Sequence, residues 1–475
     1  MMTTIRRAGL VPHTPGSEPA NPLVGACAIL ALALLVSTYA TLPGLTVFGH
    51  DEVHYYKDFT FKLSEDGRWL NYLLHDFLRS IPPGTWAVML LVASWLLFFR
   101  LAVAAGFDTG YAALTTSTIL LAYPFVEQSL WPATTIPAVV ILLGAGILAE
   151  RGVPHPFIYL LCGMLLFGTL QSFYFLVPLL FLGQFMTRQS TTTRRWSLLL
   201  GHMTWWVIGA VVGVFFMSFI LLQMTGRFGV QPAAWRHTQP VRDLAGLLRN
   251  MVYVASAFYE QAAQLLRVSG ADGRGFVAIL ALAALLRART LFGLHPTLMV
   301  LAAVATGFFA FSIPLAPLIG SRNLVAMAAA FVLSIALLPG PSIAGLSVGA
   351  LLLLAVSYGF SANGTALLAR HKAETLYFYD KFRNLVPGQP DSYSAIALFG
   401  TISDGAQEAR TFNQPSYMHA VAYALGAREY RDCRQEDSRC DGLTDGEPLA
   451  TLPFSRGQLL FSVDSGNVAI IRYRE

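Results

Sequence analysis

The sequence predicts a multi-span α-helical membrane protein with a small α+β domain at its C-terminal end. Three observations lead there. Only 12% of the 475 residues are charged and 55% are hydrophobic, whereas a soluble domain usually carries about 25% charge. The mean hydropathy is +0.55, and the apolar residues gather into runs near the ~20 residues that a helix needs to cross a bilayer. After Asn363 the composition turns ordinary, and the chain ends in strand-like runs at 458–463 and 468–473.

Taken in order, spans are expected near 23–43, 84–105, 110–126, 133–150, 156–170, 172–187, 202–223, 274–288, 295–313, 323–338 and 342–360, about eleven in all. The first run is longer than the roughly 7–15 apolar residues of a signal-peptide core and has no small-residue cleavage site, so it is expected to be retained. The runs at 156–187 must be two short helices folded at Gln171 and Ser172.

Arg6, Arg7, Arg100, Arg151, Arg188, Arg194, Arg195, Arg287 and Arg289 then fall on one side of the membrane, the cytoplasmic side by the positive-inside rule. That accounts for the formal net charge of +5. No basic run or nucleic-acid motif offers another reason for it. The expected organisation is a cytoplasmic arm over 1–22, a membrane body over 23–362 with a first outer loop at 44–83, and an extracytoplasmic C-terminal domain over 363–475.

Two further outer features follow. Residues 240–249 have the apolar spacing of an interfacial amphipathic helix, either a prop between spans or a substrate contact. Cys27 and Cys162 lie in apolar runs as small core residues. Cys433 and Cys440 lie in the polar tail, where an oxidising compartment would favour a small disulfide loop and free thiols or weak metal binding are the alternatives.

The chemistry concentrates in FGHDEVHYYKDFTFKLSEDGRWL, residues 48–70. His50, Asp51, Glu52, His54, Lys57, Asp58, Lys62, Glu65, Asp66 and Arg68 crowd the exit of the first span, where desolvation of charge is costly unless a function or partner retains it. Tyr55, Tyr56, Phe59, Phe61, Trp69 and Tyr72 are interleaved with them. The bland alternative is a solvated, charge-rich loop. His50 and His54 stand four apart as metalloprotease histidines do, but that pattern places Glu directly after the first His and an apolar helix around both, and here Asp51 follows.

A first span, an outer loop with the adjacent acids of His50-Asp51-Glu52, the element Asp66-Gly67-Arg68-Trp69-Leu70 and a second span together resemble the serotype-converting, O-antigen-modifying glycosyltransferases of the GT-C class. The arrangement of spans is similar along the membrane body, and the motif-level match covers residues 40–85. The family commonly shows two aspartates where this chain has Asp51-Glu52, and the soluble tail is longer than the resemblance requires.

The resemblance implies a GT-C-like fold in the bacterial inner membrane. It also implies a sugar donor linked to polyprenyl phosphate, and a glycan (O-antigen of lipopolysaccharide) or protein acceptor on the periplasmic face. No nucleic acid is involved. The residues fit that chemistry on their own terms. Phosphate leaves an anomeric carbon without strong acid assistance, so the need is for a base on the acceptor hydroxyl, a role for Asp51 or Glu52.

A planar arginine fork holds phosphate oxygens, which singles out Arg68 and Arg322; the alternative for Arg322 is a snorkelling residue at a helix end. His54, Lys57, Asp66, Trp69 and Gln171 complete the expected substrate-binding set. Ser172 and the segment 127–131 lie on the same expected face, where polar residues more often satisfy backbone groups. A divalent cation between Asp51, Glu52 and the donor phosphate suits hard carboxylate oxygens, although no spacing demands one. A transporter or flippase for lipid-linked glycans is the second reading, and a non-catalytic membrane partner the third.

Overall fold

The computed structural model describes residues 21–45, 47–49, 52, 60–186, 192–231, 236–266, 295–338, 342–386, 392–402, 412–413, 415–427, 429–434, 438–443, 447–454 and 457–474. The main helices are α1 (Pro22–Tyr39), α2 (Pro83–Ala104), α3 (Thr109–Leu121), α4 (Tyr123–Gln128), α5 (Pro132–Glu150), α6 (His155–Phe167), α7 (Thr192–Thr225), α8 (Leu244–Leu266), α9 (His295–Ser312), α10 (Val325–Leu337), α11 (Ile343–Leu385) and α12 (Pro415–Ala424). Among the described residues, five helices are long and apolar enough to cross a membrane: Pro22–Gly44, Pro83–Ala104, Pro132–Glu150, Trp196–Thr225 and Ile343–Leu385. His155–Phe167, Gln171–Met186, Pro296–Ser312 and Val325–Leu337 are shorter apolar helices. The expected span at 274–288 and the arm over 1–20 lie outside the described residues.

Local chemistry sets the helix ends. Asn21 caps α1 by accepting from the Leu23 N–H, with Pro22 at the first helical position. The expected helix at 110–126 is instead divided. Pro124 has no N–H to offer the Leu120 carbonyl, so α3 ends at Leu121, Ala122 turns extended (φ −61°, ψ 138°) and α4 restarts with the proline in its first turn. The Leu120 carbonyl is taken by the Tyr39 hydroxyl at 2.6 Å, which ties α1 to this break. The expected fold at Gln171 is present, but residues Gln171–Phe181 form a 3₁₀ helix with Pro178 inside it before an α-turn at Leu182–Met186.

Packing follows membrane rules. Apolar side chains such as Ile29, Val36, Phe215, Val348 and Leu351 point outward, a pattern that a bilayer covers and water would not. Hydroxyls pair between helices instead, Thr38 with Ser361 at 2.8 Å and Thr118 with Ser357 at 2.7 Å. The closest crossing is α6 on α7, where a Cβ on Gly163 would stand 2.1 Å from the Gly209 carbonyl oxygen and one on Gly213 would stand 2.6 Å from that of Gly163. Gly163→Ala is therefore expected to cost about 1–3 kcal/mol through overpacking, read as a lower thermal midpoint of the detergent-solubilised protein. Gly144→Ala, with nothing within 4 Å of the new methyl, serves as the silent control.

Helix α11 runs unbroken for 43 residues, so the boundary expected at 362/363 falls inside one rigid element. Its last turns place Phe378, Phe382 and Leu385 in a separate core with Phe412, Met418 and Val421 of the C-terminal domain. That domain is a five-stranded sheet of order β2-β1-β5-β4-β3, built from β1 (Ala395–Phe399), β2 (Tyr430–Asp432), β3 (Ala450–Phe454), β4 (Gly457–Val463) and β5 (Val468–Arg474). β1 is parallel to β2 and β5, and β4 is antiparallel to β3 and β5. The two terminal runs read from the sequence are β4 and β5. Cys433 and Cys440 form a disulfide beside β2.

Candidate active site

The first turn of α5 is the point on which the polar loops converge. Glu52, 2% exposed, is the residue of the acidic motif that the structure describes. Its Oε2 accepts from the Ala133 N–H at 3.0 Å and its Oε1 from the Thr134 N–H at 3.1 Å. These N–H groups have no partner within the helix, and the helix dipole favours an anion there. Gly49 donates its N–H to the Leu130 carbonyl at 2.7 Å, and a Cβ at Gly49 would stand 2.4 Å from the Trp131 ring. The chain from Gly49 to Glu52 is thus pinned to residues 130–134 at both ends. Asp51, His54 and Lys57 lie outside the described residues.

A second cluster is centred on Asp66. Lys62 Nζ lies 3.3 Å and Arg68 Nη2 3.1 Å from its Oδ2, and Arg236 Nη2 bonds its Oδ1. Lys62, Asp66 and Arg68 are 4%, 6% and 6% exposed; such burial of charge is tolerable only with partners. Gln171 donates to the Asp66 carbonyl at 2.7 Å, while Trp69 packs edge-on to Phe216 at 5.7 Å. Burial and the neighbouring Asp66 push the Glu65 carboxyl above its ordinary range, with Lys62 and Arg236 opposing. Asn71 links the cluster to α5, donating to the Thr134 carbonyl at 3.1 Å.

A third set stands across Trp131. The Arg322 guanidinium lies 4.8 Å from that ring's centroid. The Arg322 carbonyl accepts from Gln128 Nε2 at 2.6 Å, Gln128 Oε1 accepts from the Thr135 hydroxyl at 2.8 Å, and Glu127 Oε2 accepts from the Ser321 hydroxyl at 2.5 Å. Burial raises the Glu127 carboxyl, with the Ser321 hydroxyl and Arg322 opposing.

The structure therefore brings Asp66, Arg68, Trp69 and Gln171 together, and joins Glu52 and Arg322 to them through the start of α5. Ser172 is buried, and its hydroxyl finds no partner among the described residues. Arg236 was not singled out from the sequence. It stands in an unremarkable polar stretch, which backbone bonds such as those from Gln231 to Ser64 and from Leu318 to Arg236 draw between the two loops. Of the amphipathic segment expected at 240–249, residues 244–249 open the longer α8, while 240–243 precede the helix. Asn250 of α8 donates to the Gln239 and Ile313 carbonyls.

Among the described residues no three His, Cys, Asp or Glu side chains converge as a metal set. Comparison with protein-family models, curated proteins and solved structures returns no match to this chain.

Proposed function

We propose that this chain is a membrane glycosyltransferase of the GT-C type, moving a sugar from a polyprenyl-phosphate donor to a glycan or protein acceptor on the periplasmic face of a bacterial inner membrane. The observation that supports it most is the buried Lys62–Asp66–Arg68–Arg236 cluster in a chain with five helices long and apolar enough to cross a membrane among the described residues. A lipid phosphate is the anion that such a site meets at a membrane surface, and paired guanidinium forks match its oxygens. The Cys433–Cys440 disulfide supports the outward placement of the C-terminal domain, since such bridges persist in oxidising compartments.

In this reading the acceptor oxygen bonds to the anomeric carbon while the carbon–oxygen bond to phosphate breaks, and phosphate departs with the electron pair. The acceptor's proton passes to the Asp51 carboxylate. Glu52 holds the loop on α5 through the two backbone N–H groups that its oxygens accept. Lys62, Arg68 and Arg236 receive the charge on the departing phosphate, and Gln171 keeps the Asp66 turn in place.

The test is sugar transfer by membranes containing the protein, supplied with a panel of radiolabelled polyprenyl-phosphate sugars and cell-envelope polysaccharide. Arg68→Lys is expected to raise the donor KM about tenfold, the cost of one lost charge-assisted bond of roughly 1.4 kcal/mol. Inserted wild-type protein that consumes no donor sinks the reading. One observation favours the transporter reading: His202, fully buried in α7, stacks on His155 with centroids 4.2 Å apart and bonds the Tyr159 hydroxyl at 3.1 Å, and ionisable groups within spans often mark pathways. Movement of intact donor across proteoliposomes, with no bond formed, would put that reading ahead.

A further inference from the structure

A single stripe of α11 serves both the bundle and the C-terminal domain. Its buried positions run from Ser357 through Ser361, Gly364, Leu368, His371, Thr375 and Phe378 in alternating steps of four and three, the spacing of one helix face. Ser357 and Ser361 pair with Thr118 and Thr38 of the bundle. Gly364 fits against Thr38 and Val126, where a Cβ would stand 3.1 and 3.0 Å from their side chains. Phe378, farther along the same stripe, enters the core of the C-terminal domain. The helix is unbroken between them, so the domain is carried at a set distance and rotation from the bundle.

His371 lies between these two sets of contacts and is 5% exposed. An imidazole buried on such a stripe needs a polar partner, and the acidic loop supplies it: Nε2–H donates to the Val47 carbonyl at 3.0 Å. Val47 is itself buried and packs on Ala420 of α12, and the Tyr417 ring of α12 lies 6.2 Å from the imidazole. Two residues on, the Gly49 N–H donates to the Leu130 carbonyl at 2.7 Å, and the Glu52 N–H donates to the Gly49 carbonyl at 3.0 Å. The Glu52 carboxylate caps α5. The segment that carries Asp51 is therefore held by the bundle at Gly49 and Glu52, and by α11 and α12 at Val47.

We infer that the C-terminal domain is a clamp on the acid-bearing loop, and that His371 is the positioning residue that fixes Val47 and, through the backbone, the place of the Asp51 carboxylate. Its catalytic meaning rests on the transferase reading, while the clamp itself can be measured without any sugar.

The experiment is amide hydrogen exchange on the full chain in lipid nanodiscs, read by mass spectrometry at the peptide that holds the Gly49 and Glu52 amides. His371→Leu keeps the bulk and removes the donor, which leaves the Val47 carbonyl buried without its bond. Exchange of that peptide then rises about tenfold, while the amides of β1 and β5 keep their protection. His371→Gln, whose amide N–H takes the place of Nε2–H, restores the wild-type rate. In transfer assays His371→Leu lowers kcat by up to about 10²-fold, the cost of a misplaced catalytic group, and leaves the donor KM unchanged because the Lys62, Arg68 and Arg236 side chains are untouched; His371→Gln again recovers it. Unchanged loop exchange in His371→Leu overturns the clamp. If the sheet loses protection as well, Ala420→Leu decides, since it crowds Val47 from α12 alone: faster loop exchange supports the clamp and an unchanged rate overturns it. Faster loop exchange in a protein that transfers no sugar leaves the clamp standing and overturns the transferase reading.

Discussion

Asp51→Asn is expected to lower sugar transfer about 10²- to 10⁴-fold, the usual contribution of a positioned general base, while the protein remains inserted at its normal level. Glu52→Gln is expected to fail differently. The Glu52 carboxylate accepts two backbone N–H groups at the start of α5; an amide keeps one accepting oxygen and turns an NH₂ toward the other N–H. The helix then loses a cap and its favourable charge, about 1–2 kcal/mol, and the acidic loop loses its anchor. The expected result for Glu52→Gln is less folded protein at a given temperature. Parallel assays of transfer per folded molecule and of thermal midpoint separate the two. If Glu52→Gln abolishes transfer with an unchanged midpoint while Asp51→Asn is silent, the roles are the reverse of those assigned here.

Asp66→Ala is the substitution with the largest expected effect on folding. Asp66 is the shared partner of Lys62, Arg68 and Arg236, and two of these cations are almost wholly buried beside it. Removing one member of a buried ionic group costs about 3–5 kcal/mol, because the charges left behind stay desolvated. A native protein is stable by only about 5–15 kcal/mol. The variant is therefore expected to be scarce in membranes and to unfold early in detergent. Lys62→Met is the informative contrast: it removes one cation and leaves Asp66 with two, so the loss is expected to be much smaller. Equal stability of the two variants would show that Asp66 is not the hub.

Much of the outline was legible beforehand. α1, α2, α5 and the paired short helices around Gln171 lie where apolar run lengths put them, and β4 and β5 lie on the two strand-like runs. The division of 110–126 was legible in principle from Pro124, since a missing N–H is a local property. The continuity of α11 was not: the shift from apolar to polar composition after Asn363 resembles a domain boundary, and a helix that leaves the lipid for water changes composition without changing conformation. The long 3₁₀ stretch after Gln171 carries no compositional signal either.

For the site, the sequence by itself determined the inventory: an apolar body, an acid-rich first loop with Asp66, Arg68 and Trp69 close together, and Arg322 and Gln171 at expected outer turns. These follow from composition and spacing, which are properties of the chain alone. Only the tertiary structure decided the assignments. Glu52 became a cap on α5 because a helix start far along the chain offers two unpaired N–H groups. Asp66 became a hub because Arg236, 170 residues on, is drawn to it by backbone bonds between loops. Ala420 of α12 reached Val47 of the first loop because α11 does not break. Each depends on which distant groups share a low-dielectric space, and spacing along one sequence carries no measure of that distance.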